Sequence, residues 1–256
     1  MKSGDPIPGA DPTPGADAMP RRLDDGYQDR LQICEALAAM GLPELVDKIH
    51  ILERYVAMLL HWSQRMNLTA IRDEPDIWQR HLFDCLVIVP LLRQRLATSG
   101  ERPATPVLLD AGTGAGLPAL MLALAEPSWQ LVAVDAVDKK LGFVRQAAAE
   151  MGLTNLFTLH ARLEKLRLAM RPIQAWPQQG FDMVVSRAFA SLPDFAQATR
   201  HLIQPQGLFC AMKGQEPHAE IAVLKALHPD WCIETVSLRV PGLDAQRCAV
   251  MMQASC

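Results

Sequence analysis

The sequence predicts an α/β fold, a mainly parallel sheet covered on both faces behind a helical N-terminal segment. Three features carry that expectation. From Val107 onward, short continuous apolar runs alternate with helical stretches, the pattern of strands buried on both sides. A glycine-rich turn, Gly112-Thr113-Gly114-Ala115-Gly116, follows the first of those runs. The last two runs, residues 231–238 and 248–252, are separated only by the region around Val240-Pro241-Gly242-Leu243-Asp244. That leaves no room for a crossover helix, so this pair should be antiparallel.

Composition sets the outer bounds. The chain has 256 residues, 50% of them apolar, 21% charged and 5% aromatic, with a formal net charge of −3. A chain of this size buries roughly three quarters of its unfolded surface, so one large core with a small helical annex needs no metal or disulfide. Wholesale disorder is excluded. A membrane span is not expected either: the richest apolar stretch, residues 117–125, contains Pro118 and is about half the length a bilayer requires. The slightly acidic balance excludes a protein that wraps nucleic acid by charge alone, so any such contact must come from a local patch. The six cysteines form no CxxC pair and no His/Cys ligand spacing, and read as small buried hydrophobes in a reducing compartment, with no metal. No apolar run follows Lys2 as a secretory signal would demand, and a cytoplasmic protein is expected.

In chain order, residues 1–25 are rich in Pro, Gly, Ala and Asp and read as a disordered tail. Residues 26–100 form the helical segment, in which Ile49, Leu52, Tyr55, Val56, Leu59 and Trp62 line one helix face. Asn67-Leu68-Thr69 ends that helix. The next starts near Pro75, carries Ile77, His81, Asp84, Cys85 and Ile88, and is kinked or ended by Pro90. Residues 97–106 read as a linker, and residues 101–256 as the α/β domain. Its strand candidates are 107–109, 131–134, 156–159, 181–185, 208–212, 231–238 and 248–252, with helical stretches between the first five. A seven-stranded, mostly parallel, Rossmann-like sheet with one reversed terminal strand is the class I S-adenosylmethionine-dependent methyltransferase arrangement.

The glycine turn is the most informative segment. Glycines directly after a strand permit a tight turn and close backbone approach to a ligand at the carboxyl edge of the sheet. The spacing is G-x-G-x-G; Leu117 stands where the dinucleotide fingerprint has its third glycine. Asp135 ends the second apolar run, where a carboxylate can accept hydrogen bonds from ribose hydroxyls. A nicotinamide enzyme places an acid there too, so Asp135 leaves both cofactors open. The glycine spacing and the terminal strand pair favour S-adenosylmethionine.

Several segments then converge on one family. NLTAIRD (67–73), RHLFDCL (80–86), LLDAGTGAGLP (108–118) and DAVDKKLGF (135–143) resemble the glucose-inhibited division protein B family, the ribosomal RNA small subunit methyltransferases G. So do ARLEKL (161–166), VSRAFASL (185–192), MKGQ (212–215) and VPGLDAQR (240–247). The resemblance implies S-adenosylmethionine-dependent methylation of N7 of a single guanine, guanine-527 in the 530 loop of 16S rRNA. It implies that Gly112, Gly114 and Leu117 line the cofactor pocket, Gly112 through its backbone beside the amino-acid end. Asp135 would face the ribose, and Leu163 and Glu164 the adenine. Arg187 would sit at the mouth, where cofactor and substrate meet, as the catalytic-site candidate, with Lys213 on the same rim. The sequence departs from the family pattern at Ser63, Ala136 and Cys248, where asparagine, serine and histidine are usual.

The chemistry agrees with what is missing. Guanine N7 is an unprotonated acceptor on the major-groove edge, so its lone pair can attack a methyl sulfonium with no general base and no cysteine nucleophile. Proximity and alignment can then supply several kcal/mol of the barrier reduction. The chain has neither an NPPY-type motif nor a Pro-Cys pair. Methylation leaves the base cationic, which suits Arg187 better to holding phosphate or orienting the base. Residues 135–213 carry ten Lys/Arg against six Asp/Glu, and Arg72, Arg80 and His81 add to the annex, a phosphate-tracking rim suited to looped RNA.

Plainer roles exist for the same residues. His81 and Asp84 could hydrogen-bond each other, Arg187 could pair with Asp182 or Glu164, and Lys139-Lys140 could be a solvated helix face. Two other functions also remain open, a non-catalytic S-adenosylmethionine-binding ribosome-assembly factor and an NAD-type oxidoreductase. The expected partner is 16S rRNA, as naked RNA, a 30S subunit or an assembly intermediate, met by a monomer away from membranes.

Overall fold

The computed structural model describes residues 23–97, 105–187 and 189–254. The tail expected over residues 1–25 lies outside that description up to Leu23, where α1 (Leu23–Ala39) already begins; most of the expected linker lies outside it too. A 3-10 turn, Pro43–Lys48, leads into α2 (Ile49–Ser63), which buries Ile49, Leu52, Tyr55, Val56 and Leu59 as their spacing requires. Trp62 stays half-buried, its ring edge-on to Phe143 at 5.9 Å.

The next expected helix is not regular. The Asp73 side chain accepts from the Asp76 N–H and so caps α3 (Glu74–Ile77), with Pro75 in its first turn. Residues Trp78–Phe83 then widen into a π-helix before α4 (Asp84–Leu86). Pro90 lies in the first turn of α5 (Val89–Ala97), where a missing N–H is no loss.

The α/β region runs β1 (Val107–Ala111), α6 (Ala119–Ala125), β2 (Gln130–Asp135), α7 (Asp138–Glu150), β3 (Leu156–His160), β4 (Phe181–Ser186), α8 (Leu192–Thr199), β5 (Ile203–Lys213), α9 (His218–Leu227), β6 (Trp231–Leu238) and β7 (Arg247–Ala254). Its seven strands are ordered β3-β2-β1-β4-β5-β7-β6. The first five pair in parallel, while β7 runs antiparallel to both β5 and β6. The reversed strand is thus the last in sequence, slotted one place in from the edge. The expected helical stretch between β3 and β4 is absent. Two single-turn 3-10 segments, Leu163–Lys165 and Leu168–Met170, take its place. Pro172 and Pro177 lack the N–H a helix needs there, and Trp176 anchors the loop by donating to the Leu168 carbonyl at 3.1 Å and meeting Phe181 edge-on.

Residues alternate across the sheet with period two. Leu108, Leu131, Met183, Cys210 and Met251 join the core formed with α2, α5, α6 and α7, whereas Leu109, Val132, Val184, Phe209 and Val250 join the one under α8 and α9. The helical segment therefore shares a core with one face of the sheet. All seven residues of α6 are buried, and its terminal carbonyls are satisfied from outside. Lys48 Nζ donates to Leu124 O, and Asn155 Nδ2 lies within 3.1 Å of Ala123 O and Glu126 O. Cys85, Cys210 and Cys248 are buried free thiols and Cys34 a partly buried one. Cys232 is disulfide-bonded, a departure from the expected single thiols. Among the described residues, no helix is long and apolar enough to cross a membrane.

Candidate active site

Parallel strands bring their carboxyl ends to one edge, and the loops after β1, β2, β4 and β5 meet there. The turn after β1 is tied to its neighbours by backbone. Both Gly112 and Thr113 N–H groups donate to Val134 O at the end of β2, at 2.9 and 3.0 Å. Ser186 Oγ at the end of β4 donates to Ala111 O at 2.9 Å, which sets Arg187 beside the same turn.

The glycines are needed for their conformation. Gly112 and Gly114 have φ of +75° and +57°, in the left-handed region. A Cβ on Gly112 would meet nothing within 4 Å, so its backbone faces open space. Asp135 sits against this opening, 9% exposed. Its Oδ2 accepts from Gly114 N–H at 2.9 Å and its Oδ1 from Val137 N–H at 2.8 Å, which aims the carboxylate and leaves each oxygen a further lone pair.

Bare backbone at Gly112 and an aimed acid beside it match the needs of an S-adenosyl group, with amide and carbonyl groups for its amino-acid end and a carboxylate for ribose hydroxyls. Leu117 is buried in the core, its N–H donating to Thr113 O, so it shapes the turn from beneath. Pairing of Asp135 with His160 brings the segment after β3 to the same side. There Leu163 is buried under the second core and Glu164 is exposed.

Asp110 was missing from the residues singled out by sequence. It is fully buried at the end of β1, where its Oδ2 accepts from Thr113 Oγ1 at 2.7 Å and from Ala119 N–H at 3.1 Å. Its Oδ1 is buried with no hydrogen-bond partner. Burial pushes its carboxyl up to about 6, against the pull of those two hydrogen bonds. The available signal was an acid ending a strand with threonine three residues later. Tyr55, likewise fully buried, donates from its hydroxyl to Ala115 O at 2.9 Å, so the helical segment itself holds the turn.

A second cleft, of about 430 Å³, opens beside Arg187 and is lined by Arg80, His81, Asp84, Lys213 and Arg247 among others. The expected pairings of Arg187 with Asp182 or Glu164 do not form, since the Asp182 carboxylate is taken by Val107 N–H and Gln204. Arg187 instead lies 3.7 Å from Asp84 Oδ2, and Asp84 Oδ1 accepts from Arg247 Nε at 2.7 Å. One carboxylate is shared by two guanidinium groups, which leaves the trio with surplus positive charge. Burial raises the Asp84 pKa, and the two arginines oppose that rise.

His81 and Asp84 turn towards Arg187 and make no hydrogen bond to each other. Arg187 Nη1 approaches His81 Nδ1 at 3.2 Å and Arg80 O at 3.3 Å. Lys213 closes the rim, its charge engaged by Glu220 at 3.0 Å. The thiols of Cys85 and Cys210 are pushed up to about 12 by burial, so neither is a nucleophile.

The chain also has relatives among known proteins. Residues 48–246 match the family described as rRNA small subunit methyltransferase G. The chain is 40% identical over 225 residues to a Bordetella pertussis protein named ribosomal RNA small subunit methyltransferase G, covering 88% of this chain and 93% of that one. A protein of the same name from Methylibium petroleiphilum is 43% identical over 200 residues, 78% of this chain and 82% of its own length. Among solved structures, the METTL16 methyltransferase domain superposes with a TM-score of 0.53 at 11% identity, over 67% of this chain and 68% of that one, a likeness of fold alone.

Proposed function

The chain belongs to the rRNA small subunit methyltransferase G family, S-adenosylmethionine-dependent 16S rRNA methyltransferases, and from that membership we propose that it methylates N7 of guanine-527 in the 530 loop. The observation that carries the reading is the pairing of two openings at one sheet edge. One has bare glycine backbone beside Asp135, and the other is cationic and lies beside Arg187.

In this reading Gly112, Gly114 and Leu117 form the floor that receives the amino-acid end of the cofactor. Asp135 accepts from the ribose, and Leu163 and Glu164 border the adenine. The bound cofactor supplies an electrophilic methyl group on a sulfonium. The protein's share is to hold guanine N7 in line with it and to keep water out, which needs no proton acceptor because N7 carries a free lone pair. The Arg187–Asp84–Arg247 trio has the surplus charge to hold a phosphate of the RNA, and it hands only part of that charge to a base that itself becomes cationic. A splayed, single-stranded guanine fits such a cleft better than a stacked one. The same reading takes the enzyme as a cytoplasmic monomer, which sedimentation of the purified protein checks.

The deciding experiment maps N7-methylguanine in 16S rRNA from cells with and without the gene, by borohydride and aniline cleavage. A single break in the 530 loop that disappears with the gene and returns on complementation is the expected result. A break that persists without the gene would remove the assigned nucleotide.

A further inference from the structure

Thr69, His81, Arg187, Asp84 and Arg247 form one continuous line of polar contacts along the second cleft. Asp84 alone does not orient Arg187: at 3.7 Å the contact is an ion pair without hydrogen-bond geometry, and its shorter contact, 2.7 Å, goes to Arg247. Directional contacts to Arg187 Nη1 come instead from the π-helical turn, through Arg80 O and His81 Nδ1. On the opposite side of the imidazole, His81 Nε2 lies 2.6 Å from Thr69 Oγ1, which also accepts from Ile71 N–H at 3.1 Å.

We propose that His81 is a positioning residue, held by Thr69 as the neutral tautomer with its proton on Nε2, so that a bare Nδ1 receives and orients the Arg187 guanidinium at the cleft. The other neutral tautomer is also geometrically possible, because Nδ1 lies 3.0 Å from Arg80 O and could donate to it. It would set an N–H of His81 against an N–H of a cation, forfeiting a charge-assisted hydrogen bond, which is roughly twice as strong as a neutral one. The charged imidazolium is disfavoured further. Burial and the adjacent Arg187 together lower the His81 pKa to about 4, so the ring is neutral at neutral pH. The need of Arg187 for an acceptor thus selects the tautomer, Thr69 receives the Nε2 proton, and the ring orients an arginine that lies 106 residues further along the chain than His81. The inference rests on reading this cleft as the RNA-facing side of the methyl-transfer site.

The test combines a spectrum with a substitution pair. In the ¹⁵N-histidine spectrum of the wild-type protein, His81 should be the Nε2–H tautomer, and Thr69→Val should shift it towards a mixture. His81→Gln keeps a donor near Nε2 but has no acceptor at Nδ1. It should lower kcat for 16S rRNA by about ten- to a hundredfold, as expected for loss of a hydrogen bond to a charged group, with S-adenosylmethionine affinity unchanged. His81→Asn restores an acceptor at the Nδ1 position and should recover most of that loss. An Nδ1–H tautomer in the wild type overturns the proposal, as do Gln and Asn variants of equal activity and wild-type melting temperature. A wild-type protein that binds the cofactor yet methylates no 16S rRNA sinks the functional reading instead, while the spectrum still decides the tautomer.

Discussion

Tyr55, in the middle of α2, donates its fully buried hydroxyl to the carbonyl of Ala115, at the heart of the glycine turn, at 2.9 Å. A residue of the helical annex thereby holds the backbone of the glycine turn from below. The relation ties the annex to the candidate site.

Tyr55→Phe should therefore act on both stability and cofactor affinity. It leaves a buried carbonyl without its donor, a loss of about 1–3 kcal/mol. Urea unfolding should register that loss, and calorimetry should find weaker S-adenosylmethionine binding. Unchanged cofactor affinity in a destabilised variant would confine Tyr55 to the core.

Two glycines in the turn should respond differently to alanine. At Gly116, with φ of +81°, a Cβ would fall 2.4 Å from Leu120 Cδ1, so Gly116→Ala should lower the melting temperature sharply. At Gly112 nothing stands within 4 Å, and the cost is the left-handed backbone alone, roughly 1–2 kcal/mol. Gly112→Ala should fold and lose cofactor binding, because its methyl group occupies the space at the turn. Retained binding by a folded Gly112→Ala would place the cofactor elsewhere.

Asp110 and His81 make opposing contributions to acid stability. The Asp110 carboxyl is raised from 3.8 to about 6, so the folded state holds that proton more tightly, and the resulting stability is present at low pH and lost as pH rises through about 6. His81 is lowered from 6.5 to about 4, so its contribution is full above 6.5 and is lost as pH falls towards 4. The two slopes largely offset each other in that shared window. Asp110→Asn removes one of them, and denaturant titrations should then show stability falling more steeply on acidification than in the wild type. An unaltered pH dependence would mean that the two groups titrate unlike this.

Arg187→Ala should weaken RNA binding and slow single-turnover methylation while cofactor affinity holds. If RNA binding and rate both match wild type, the role assigned to Arg187 is wrong.

Asp84→Ala should be the most damaging change in the second cleft, since it leaves Arg187 and Arg247 facing each other in a mostly buried setting. Breaking such a pair from one side costs about 3–5 kcal/mol. Replacing Arg247 with Met in the same background removes the repulsion and should regain stability, as a double-mutant cycle would measure.

Much of this was legible in the sequence where the signal is local. The α2 stripe, the 231–238 strand and the antiparallel terminal pair follow from spacing alone. The glycine turn and Asp135 were placed beside one another by the alternation of strand and helix, and the structure joins them by the Gly114–Asp135 hydrogen bond. The misses share a physical cause. His81 and Asp84 looked like partners on one helix face, but the π-helical turn changes the angular step between residues, and both face Arg187 from far away in sequence. Helix spacing assumes regular geometry, and no local pattern reports a contact across the sheet. The stretch between β3 and β4 misled differently: its apolar residues pack against a tryptophan-anchored loop interrupted by prolines.

The place of β7 between β5 and β6 has a consequence for how the protein is made. Both neighbours leave the ribosome before the strand that joins them, so β6 has no sheet to pair with until residues 247–254 emerge. The antiparallel end of the sheet therefore closes only once residues 247–254 are available, whereas the parallel half carrying the glycine turn and Asp135 can assemble before them. A nascent chain stalled before Arg247 would therefore leave one edge of β5 open and β6 without any partner, and would be the form most exposed to aggregation and to chaperones.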